Sequence, residues 1–301
     1  MLGGCGFIGS YITDAMLEDG HQVRILSHTP EALRAPLADV EYHMGDVADQ
    51  VAVDAALRGI DVVVHAVSTT VPGTSNNDPA GDVRGNLIAC VQLLELMRKH
   101  GIPRIIYLSS GGTVYGNPEH CPVAEDAPLQ PICSYGVVKV AVENYLGMYR
   151  HIYGFEPVIL RLSNPYGPRQ GHLGVQGAIT SFLHQVRRKE TLTIWGDGSN
   201  VRDYVHVEDV ARLCKQAALG THSGVFNVGS GVGYSLSEMI AIIASVTGKT
   251  PEICHLEKRL FDVNEIVLDI SKAKDVFNWR PRINLQQGIR EYWLWMMEHK
   301  S

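Results

Sequence analysis

The stretch Gly3-Gly4-Cys5-Gly6-Phe7-Ile8-Gly9-Ser10 decides the fold of this chain. It opens a helix that ends at Gly20 and whose apolar residues recur at helical spacing, at Ile8, Ile12, Ala15 and Met16. The glycines at positions 3, 6 and 9 allow the backbone to turn tightly and to approach a pyrophosphate, which the positive N-terminus of the helix holds. Tight packing of a helix on a strand also selects glycine. We predict a dinucleotide site with contacts at Gly3, Gly6, Phe7, Ile8 and Gly9.

Only Met1 and Leu2 precede this glycine loop. In a sheet of this kind the strand before the loop is central and buried on both faces. If the first strand is this short, we expect its two neighbouring strands to lack a partner and a position in the core to stay empty. We therefore expect that an upstream segment was missed or removed, and that a chain beginning here is less stable and binds its cofactor less tightly.

The segments after the loop alternate between short β-branched runs and amphipathic stretches. The pattern comprises His21–Leu26, Ile60–Val67, Leu87–His100 and Arg104–Leu108. This alternation predicts an α/β fold of the Rossmann type, a doubly wound parallel sheet. Beyond Pro165 the chain becomes rich in glycine turns, which predicts a smaller C-terminal substrate-binding lobe. We expect a dinucleotide-binding domain at residues 1–165 and a sugar-nucleotide-binding lobe at 166–301, with residues 205–220 returning to the first domain.

Composition excludes several classes of protein. The 301 residues are 45% hydrophobic and 19% charged, with a net charge of -6 and a pI near 6.1, so the surface offers no basic field for nucleic acid or anionic lipid. The six cysteines form no C-x-x-C pair and have no companions at zinc-ligand spacing, so no metal site is expected. No apolar run is long enough to span a membrane and no secretion signal is evident, so we expect a cytoplasmic protein.

The residues that follow the predicted strand His21–Leu26 bear on the choice of cofactor. An Asp or Glu at the end of this strand would bind the ribose hydroxyls of NAD, and this chain has Ser27 there. The neutral Ser27, with His28 and Arg34 nearby, is compatible with the phosphate of NADP, or with a loop that tolerates either cofactor. We favour NAD. Asp46, next to Val47, is placed to contact adenine, although an Asp after Gly is often only a turn residue.

The stretch Tyr135-Gly136-Val137-Val138-Lys139 places a phenol and an ammonium four residues apart, on one face of a helix. A charged Lys near a partly buried phenol favours phenolate and lowers its pKa toward the range useful for a general base. The pair follows a predicted strand and the polar turn that begins at Ser109. We predict that Tyr135 and Lys139 are the catalytic pair.

Together these motifs resemble the extended short-chain dehydrogenase/reductase family, in particular its branch of NAD-dependent sugar-nucleotide epimerases and dehydratases typified by UDP-glucose 4-epimerase. The resemblance runs nearly end to end and is carried by GGCGFIGS from Gly3, VPGTSNNDP from Val71, SSGGTVYG from Ser109, YGVVK from Tyr135, RLSNPYGPRQ from Arg161, GDGSNVRDYVHVEDVA from Gly196, FNVGSG from Phe226 and DISKAKDVFNWRP from Asp269. Each motif alone could mislead, whereas the set is highly specific.

The resemblance implies roles for individual residues. Tyr135 would be the base, and Lys139 would lower its pKa and hold the nicotinamide ribose. Asn164 would contact the sugar nucleotide, with Arg202 and Arg259 on its phosphates. A diphosphate favours planar, permanently charged guanidinium groups, although a surface ion pair is the alternative for an arginine such as Arg259 beside Lys258.

Two departures from the family pattern limit the chemistry. The family's usual Ser or Thr beside the reacting hydroxyl is Gly111 here, so Ser110 or Thr113 would supply the hydroxyl, with Ser110 favoured because it is adjacent. Either hydroxyl could instead satisfy only the backbone of the turn. Dehydrating members carry an Asp-Glu pair next, where this chain has Gly112 and Thr113. Without those carboxylates dehydration lacks its acid and base, whereas epimerisation needs neither.

The function predicted from the resemblance is NAD-dependent epimerisation at C4 of a nucleotide-diphosphate sugar through a transient 4-keto intermediate. The sugar carrier is expected to be UDP, in polysaccharide biosynthesis. Broad apolar stripes on two helices, together with the resemblance, lead us to expect a homodimer. The alternatives are an NADP-dependent 4-ketosugar reductase with the same Tyr135 and Lys139, and a non-catalytic dinucleotide-binding protein.

Overall fold

A computed structural model describes residues 1–32, 34–171, 177–257 and 263–299. The helices are α1 Phe7–Glu18, α2 Gln50–Ala56, α3 Pro79–Asp82, α4 Ala89–His100, α5 Gly111–Val114, α6 Ser134–Tyr153, α7 Ala178–Arg188, α8 Val207–Leu219, α9 Leu236–Thr247, α10 Ser271–Phe277 and α11 Leu285–Glu298. The strands are β1 Val23–Ser27, β2 Val40–Met44, β3 Val62–His65, β4 Arg104–Ser110, β5 Glu156–Leu162, β6 Asn164–Tyr166, β7 Leu192–Trp195, β8 Val201–His206, β9 Gly224–Val228, β10 Gly233–Ser235, β11 Ile253–Leu256 and β12 Glu265–Ile266. A π-helical turn, Val83–Ile88, lies between α3 and α4.

The large sheet is parallel throughout its described pairs. Strand β1 pairs with β2, and β3, β4, β5 and β9 follow one another across the other part of the sheet. Strand β4 is buried along six of its seven residues, as expected of a central strand covered on both faces. The predicted α/β fold with a parallel, helix-covered sheet is confirmed.

Leu2 occupies the place of the first strand, between β1 and β3. It forms parallel bridges with both Leu26 and His65, and it is only 4% exposed. The amide of Leu2 donates to Val64 O at 2.9 Å, and the amide of Ala66 donates to Leu2 O at 3.0 Å. At this level of the sheet both neighbours are therefore paired and the core position is filled, contrary to the expectation from the sequence. The amide and carbonyl of Leu2 pair with β3, whereas the carbonyl of Met1 and the amide of Gly3 pair with Leu26 of β1, and the side chain of Leu2 enters the core.

A second group of strands forms smaller sheets. Strand β8 is central to one of them, pairing with β6 and β12 in parallel and with β10 antiparallel, and β7 pairs with β11. Helices α7, α9 and α11 pack around these strands in a separate apolar cluster that includes Tyr166, Leu183, Ile243 and Tyr292. Tyr292 of α11 is fully buried.

The chain returns to the large sheet after β8. Helix α8 packs against α1, and β9 then pairs with β5. The division at residue 165 stays a prediction. Within the described ranges, no helix combines the length and apolar character required to cross a membrane.

Because the strands of the large sheet are parallel, their carboxyl ends meet at one edge. The glycine loop, Ser27, the loop that follows β3 and the end of β4 at Ser110 all lie at this edge.

Candidate active site

The glycine loop connects the Leu2 position to the start of α1. Gly6 caps the helix, and its amide donates to Gly3 O at 3.0 Å, which closes a tight turn. A Cβ at Gly9 would lie 2.2 Å from Gly3 O, whereas a Cβ at Gly6 would meet only that same oxygen, at 3.3 Å. Phe7 and Ile8 begin the helix, so the backbone amides of its first turn have no partners inside the helix. The close packing and the free helix N-terminus fit the pyrophosphate of a dinucleotide.

The ribose and adenine side of the predicted site begins at the end of β1. The Ser27 hydroxyl accepts a hydrogen bond from Thr29 N at 3.3 Å, and Ser27 O accepts one from Gly45 N at 3.0 Å. Asp46 is exposed and accepts a hydrogen bond from Ala48 N at 2.8 Å, so it also acts as a turn residue. Val47 is buried, and its side chain packs in the core.

Glu31 and Arg169 were not singled out from the sequence, yet both lie close to this region. The side chain of Glu31 is fully enclosed, with a carboxylate oxygen 3.6 Å from Arg34 Nε. Arg34 also binds Asp14 of α1, and Arg169 donates to the other oxygen of Asp14 at 2.7 Å. The sequence pattern predicts an acid at the end of the strand, whereas Glu31 lies four residues later. Nothing in the local sequence indicates the contact between Arg169 and Asp14, 155 positions apart.

Tyr135 and Lys139 lie in the first two turns of α6. Lys139 is 6% exposed, and its Nζ donates to the carbonyl oxygen of Leu108 on β4 at 2.8 Å. The same Nζ lies 5.4 Å from the centre of the Tyr135 ring and 4.8 Å from that of Tyr107. The structure therefore brings the predicted pair together at the end of β4.

Burial governs the protonation of both groups. It raises the pKa of Tyr135 above its ordinary value, and repulsion from the Cys133 sulfur in its thiolate form and from the Asp82 carboxylate raises it further. A hydrogen bond with Ser110 opposes the shift. Burial also lowers the pKa of Lys139 to about 8. The lowering of the Tyr135 pKa that the sequence predicts is therefore not found in the free protein, because removal of the phenolate from water outweighs the nearby ammonium.

The turn after β4 separates the two candidate hydroxyls. Ser110 is the residue whose side chain interacts with Tyr135, whereas the Thr113 hydroxyl donates to Ser110 O at 3.5 Å. A Cβ at Gly111 would lie 2.6 Å from Leu268 Cδ1 and 3.0 Å from Arg161 O. The family's usual Ser or Thr at this position would therefore require a shift of Leu268.

A buried ion pair is linked to the start of this turn by a hydrogen bond. Glu143 lies one helical turn after Lys139 and forms an ion pair with Arg161 of β5 at 2.7 Å. The Ser109 hydroxyl donates to Glu143 at 2.5 Å. The local sequence gives no signal for these residues, because the partners come from three separate elements.

The predicted substrate contacts lie in the second group of strands. Asn164 on β6 donates from its side chain to Asp203 O at 3.0 Å. Arg202 on β8 donates to the backbone carbonyls of Val263 and Asn264, at 2.5 and 3.3 Å. Arg259 lies outside the described residues.

The sequence of this chain is similar to those of several known proteins. The sequence model described as "NAD dependent epimerase/dehydratase family" matches residues 1–229. A putative UDP-glucose 4-epimerase from Methanocaldococcus jannaschii is 35% identical over 297 residues, covering 98% of this chain and 96% of that protein. A dTDP-4-dehydro-6-deoxyglucose reductase from Escherichia coli is 34% identical over 234 residues, covering 77% and 73%.

Solved structures show the same architecture. The UDP-glucose 4-epimerase of Thermotoga maritima with UDP-glucose has a TM-score of 0.93 and 30% identity, with 99% of this chain and 97% of that chain covered. The UDP-glucose 4-epimerase of Thermus thermophilus in complex with NAD also has a TM-score of 0.93, with 33% identity and coverage of 98% and 97%.

Proposed function

This chain belongs to the NAD dependent epimerase/dehydratase family, and we propose that it inverts the configuration at C4 of a UDP-linked sugar. The activity is NAD-dependent epimerisation of nucleotide sugars. The observation that carries the proposal is the pairing of Tyr135 with Lys139, whose ammonium is anchored on Leu108 O at the same sheet edge as the glycine loop. This arrangement places a proton-transfer group at the same sheet edge as the loop that would bind the dinucleotide.

The backbone of the glycine loop would hold the pyrophosphate of the cofactor, at Gly3, Gly6, Phe7, Ile8 and Gly9. Ser27, Asp46 and Val47 would contact the adenosine, and Lys139 would bind the nicotinamide ribose. The chemistry that bound NAD would supply is the acceptance and return of a hydride at C4 of the sugar. The tight packing at Gly9 and the helix N-terminus at Phe7 support this assignment.

The protein's own residues move the proton. Tyr135 takes the proton of the sugar 4-hydroxyl as C4 becomes a ketone, and it gives that proton back when the ketone is reduced on its other face. Lys139 opposes the effect of burial on the phenol by placing a positive charge 5.4 Å from the ring centre. Ser110 supplies a hydroxyl to Tyr135, and Thr113 supports the turn that holds Ser110.

The substrate is held by its nucleotide rather than by its sugar. We assign Asn164, Arg202 and Arg259 to the UDP group, because a diphosphate favours guanidinium partners. A structural neighbour of this chain is an epimerase solved with UDP-glucose, which supports a UDP carrier. Binding through the nucleotide leaves the sugar free to turn between the two half-reactions.

The remaining proposals concern the organisation of the protein. Residues 1–165 form the cofactor domain and 166–301 the sugar-nucleotide lobe, with residues 205–220 returning to the first domain; the packing of α8 on α1 supports that return. A homodimer is supported by a stripe of exposed apolar residues on one face of α6, comprising Val137, Tyr145, Met148 and Ile152. We propose a cytoplasmic location, where sugar nucleotides are substrates of polysaccharide biosynthesis.

A second function has its own support. The reductase from Escherichia coli is 34% identical to this chain over 234 residues, against 35% over 297 residues for the putative epimerase. Ser27 also leaves the end of β1 without the acid typical of NAD sites. A 4-ketosugar reductase would use the same Tyr135 and Lys139 and would oxidise one NAD(P)H for each product molecule.

One experiment separates the two functions. The purified protein is incubated with UDP-glucose and no added cofactor, and separately with a 4-keto sugar nucleotide and NADPH. The epimerase forms UDP-galactose in the first incubation and does not consume NADPH continuously in the second. Stoichiometric consumption of NADPH without any UDP-galactose would establish the reductase instead.

A further inference from the structure

Asp82 is a buried carboxylate that the proposed mechanism does not use. It ends the short helix α3 and is 1% exposed. Its Oδ1 accepts hydrogen bonds from Thr70 Oγ1 and Asn86 Nδ2, each at 2.8 Å, and its Oδ2 accepts one from Ser134 Oγ at 2.7 Å. All three donors are neutral, so the carboxylate is removed from water without an opposite charge among them.

Such burial is costly. A carboxylate loses its hydration when it enters the interior, and three neutral donors replace only part of it. A core built for stability alone would favour an apolar or amide side chain here. The three bonds hold the carboxylate in one orientation, so the arrangement is specific in geometry.

The three donors come from three different segments. Thr70 lies in the loop after β3, Asn86 lies in the π-helical turn, and Ser134 is the first residue of α6 and precedes Tyr135. We propose that Asp82 is a positioning residue for Tyr135, because its carboxylate joins the loop after β3 to the first turn of α6 through Thr70 and Ser134. This inference rests on the proposed function, in which Tyr135 exchanges the proton of the sugar hydroxyl.

Two further bonds strengthen the connection. The backbone amide of Ser134 donates to Asn76 Oδ1 at 2.9 Å, so both polar groups at the start of α6 are bound to the segment between β3 and α4. Asn86 also joins its own turn to this loop, since its Oδ1 accepts from Thr69 N at 2.9 Å. The start of α6 is therefore fixed by side chains outside the helix.

The charge of Asp82 also acts on the catalytic pair. Burial raises the pKa of Tyr135 most, and the carboxylate of Asp82 raises it as well. Asp82 likewise raises the pKa of Lys139, whose net shift is downward because burial dominates. Removing this charge should lower the pKa of both groups, so the whole pH profile should move to lower pH.

Other titratable groups face the same pair. The groups that face Tyr135 are Cys133, Lys139 and Asp82. The groups that face Lys139 are Asp82, Cys90 of α4, Glu143 of α6, Tyr107 of β4 and His65 of β3. Among these groups, Asp82 is the one joined to the start of α6 by a side-chain hydrogen bond to Ser134.

Two substitutions separate the effect of the hydrogen bonds of Asp82 from the effect of its charge. In Asp82→Asn the amide oxygen can keep the bonds from Thr70 and Asn86, and the amide nitrogen can donate to Ser134 Oγ, which then acts as the acceptor. Asp82→Asn therefore removes the charge and keeps the links. Ser134→Ala removes the link to α6 and keeps the charge.

The test measures kcat and kcat/KM for C4 epimerisation of UDP-glucose against pH in the wild type, Asp82→Asn, Ser134→Ala and Asp61→Asn. Asp61 is exposed and serves as the matched control, with kinetics like those of the wild type. We expect the profile of Asp82→Asn to lie about half a unit to one unit lower in pH. Ser134→Ala should lose about fivefold in kcat at every pH, with an unchanged KM and an unmoved profile.

Circular dichroism and bound NAD content confirm that each variant is folded. If the profile of Asp82→Asn superimposes on that of the wild type, or if Ser134→Ala keeps the wild-type kcat, the proposal for Asp82 is overturned. Tyr135→Phe distinguishes this result from failure of the proposed function. An inactive Tyr135→Phe leaves the proposed function standing whatever Asp82 does, whereas an active one overturns both proposals.

Discussion

The ammonium of Lys139 donates a hydrogen bond to the backbone carbonyl of Leu108 at 2.8 Å. This bond crosses from α6 to the carboxyl-terminal part of β4 and holds the charge between the rings of Tyr107 and Tyr135. The position of the charge is therefore determined by the sheet as well as by the helix.

Replacing Lys139 should separate function from stability. Lys139→Met keeps the apolar stem and removes a buried charge, so we expect an unchanged or higher melting temperature together with a loss in kcat of at least about 100-fold. Thermal unfolding and epimerase assays measure the two effects. Lys249→Met is the control, because Lys249 also donates to a carbonyl, Val186 O at 3.4 Å, and lies over the ring of Trp293. Equal losses of activity in both variants would contradict the assigned role.

The pH dependence should report the titration of Lys139. Burial lowers its pKa to about 8 in the free protein, and the charged form is the one that assists Tyr135. Since Lys139 loses its charge above its pKa while Tyr135 ionises only at higher pH, kcat/KM should rise with pH up to about 8 and level off above it. The residual activity of Lys139→Arg should continue to rise above pH 8, because a guanidinium stays charged. The same levelling at about pH 8 in both proteins would assign it to another group.

The two hydroxyls of the turn after β4 should differ in importance. Ser110→Ala removes the side chain that interacts with Tyr135, and we expect a loss in kcat of about tenfold. Thr113→Val removes only a 3.5 Å bond to Ser110 O, and we expect a loss of about twofold. Steady-state kinetics at one pH compare the variants, and a larger loss in Thr113→Val would reverse the assignment.

Gly9 should tolerate no side chain. In Gly9→Ala the added Cβ would lie 2.2 Å from Gly3 O, which forces the glycine loop to move. We expect a loss of about 2 kcal/mol or more in unfolding free energy and loss of bound NAD. Gly112→Ala is the matched control, because no atom lies within 4 Å of its added Cβ. Denaturant unfolding and NAD content measure both, and retention of NAD by Gly9→Ala would contradict the assigned loop.

Local patterns were sufficient to predict the fold. Glycine spacing, β-branched runs and apolar helix positions depend on neighbouring residues, and they identified α1, α4 and β4. The position of Leu2 was not predicted, because a strand was expected to need several residues. In the structure one residue bridges Leu26 and His65.

The site was predicted less completely, for a physical reason. Tyr135 and Lys139 share one helix face, so their spacing reveals them. Asp82 joins Thr70, Asn86 and Ser134 from separate segments, and only the folded chain brings these together. The raised pKa of Tyr135 has the same origin, since burial depends on the whole fold.

The central claim is that C4 is oxidised and then reduced within one site. The most direct test incubates the protein with UDP-glucose that carries deuterium at C4 of the sugar and analyses the UDP-galactose by mass spectrometry. We expect the deuterium to be retained at C4 of the product, because the hydrogen that leaves C4 is the one that returns. Loss of the label to water, or failure to form UDP-galactose, would contradict this account.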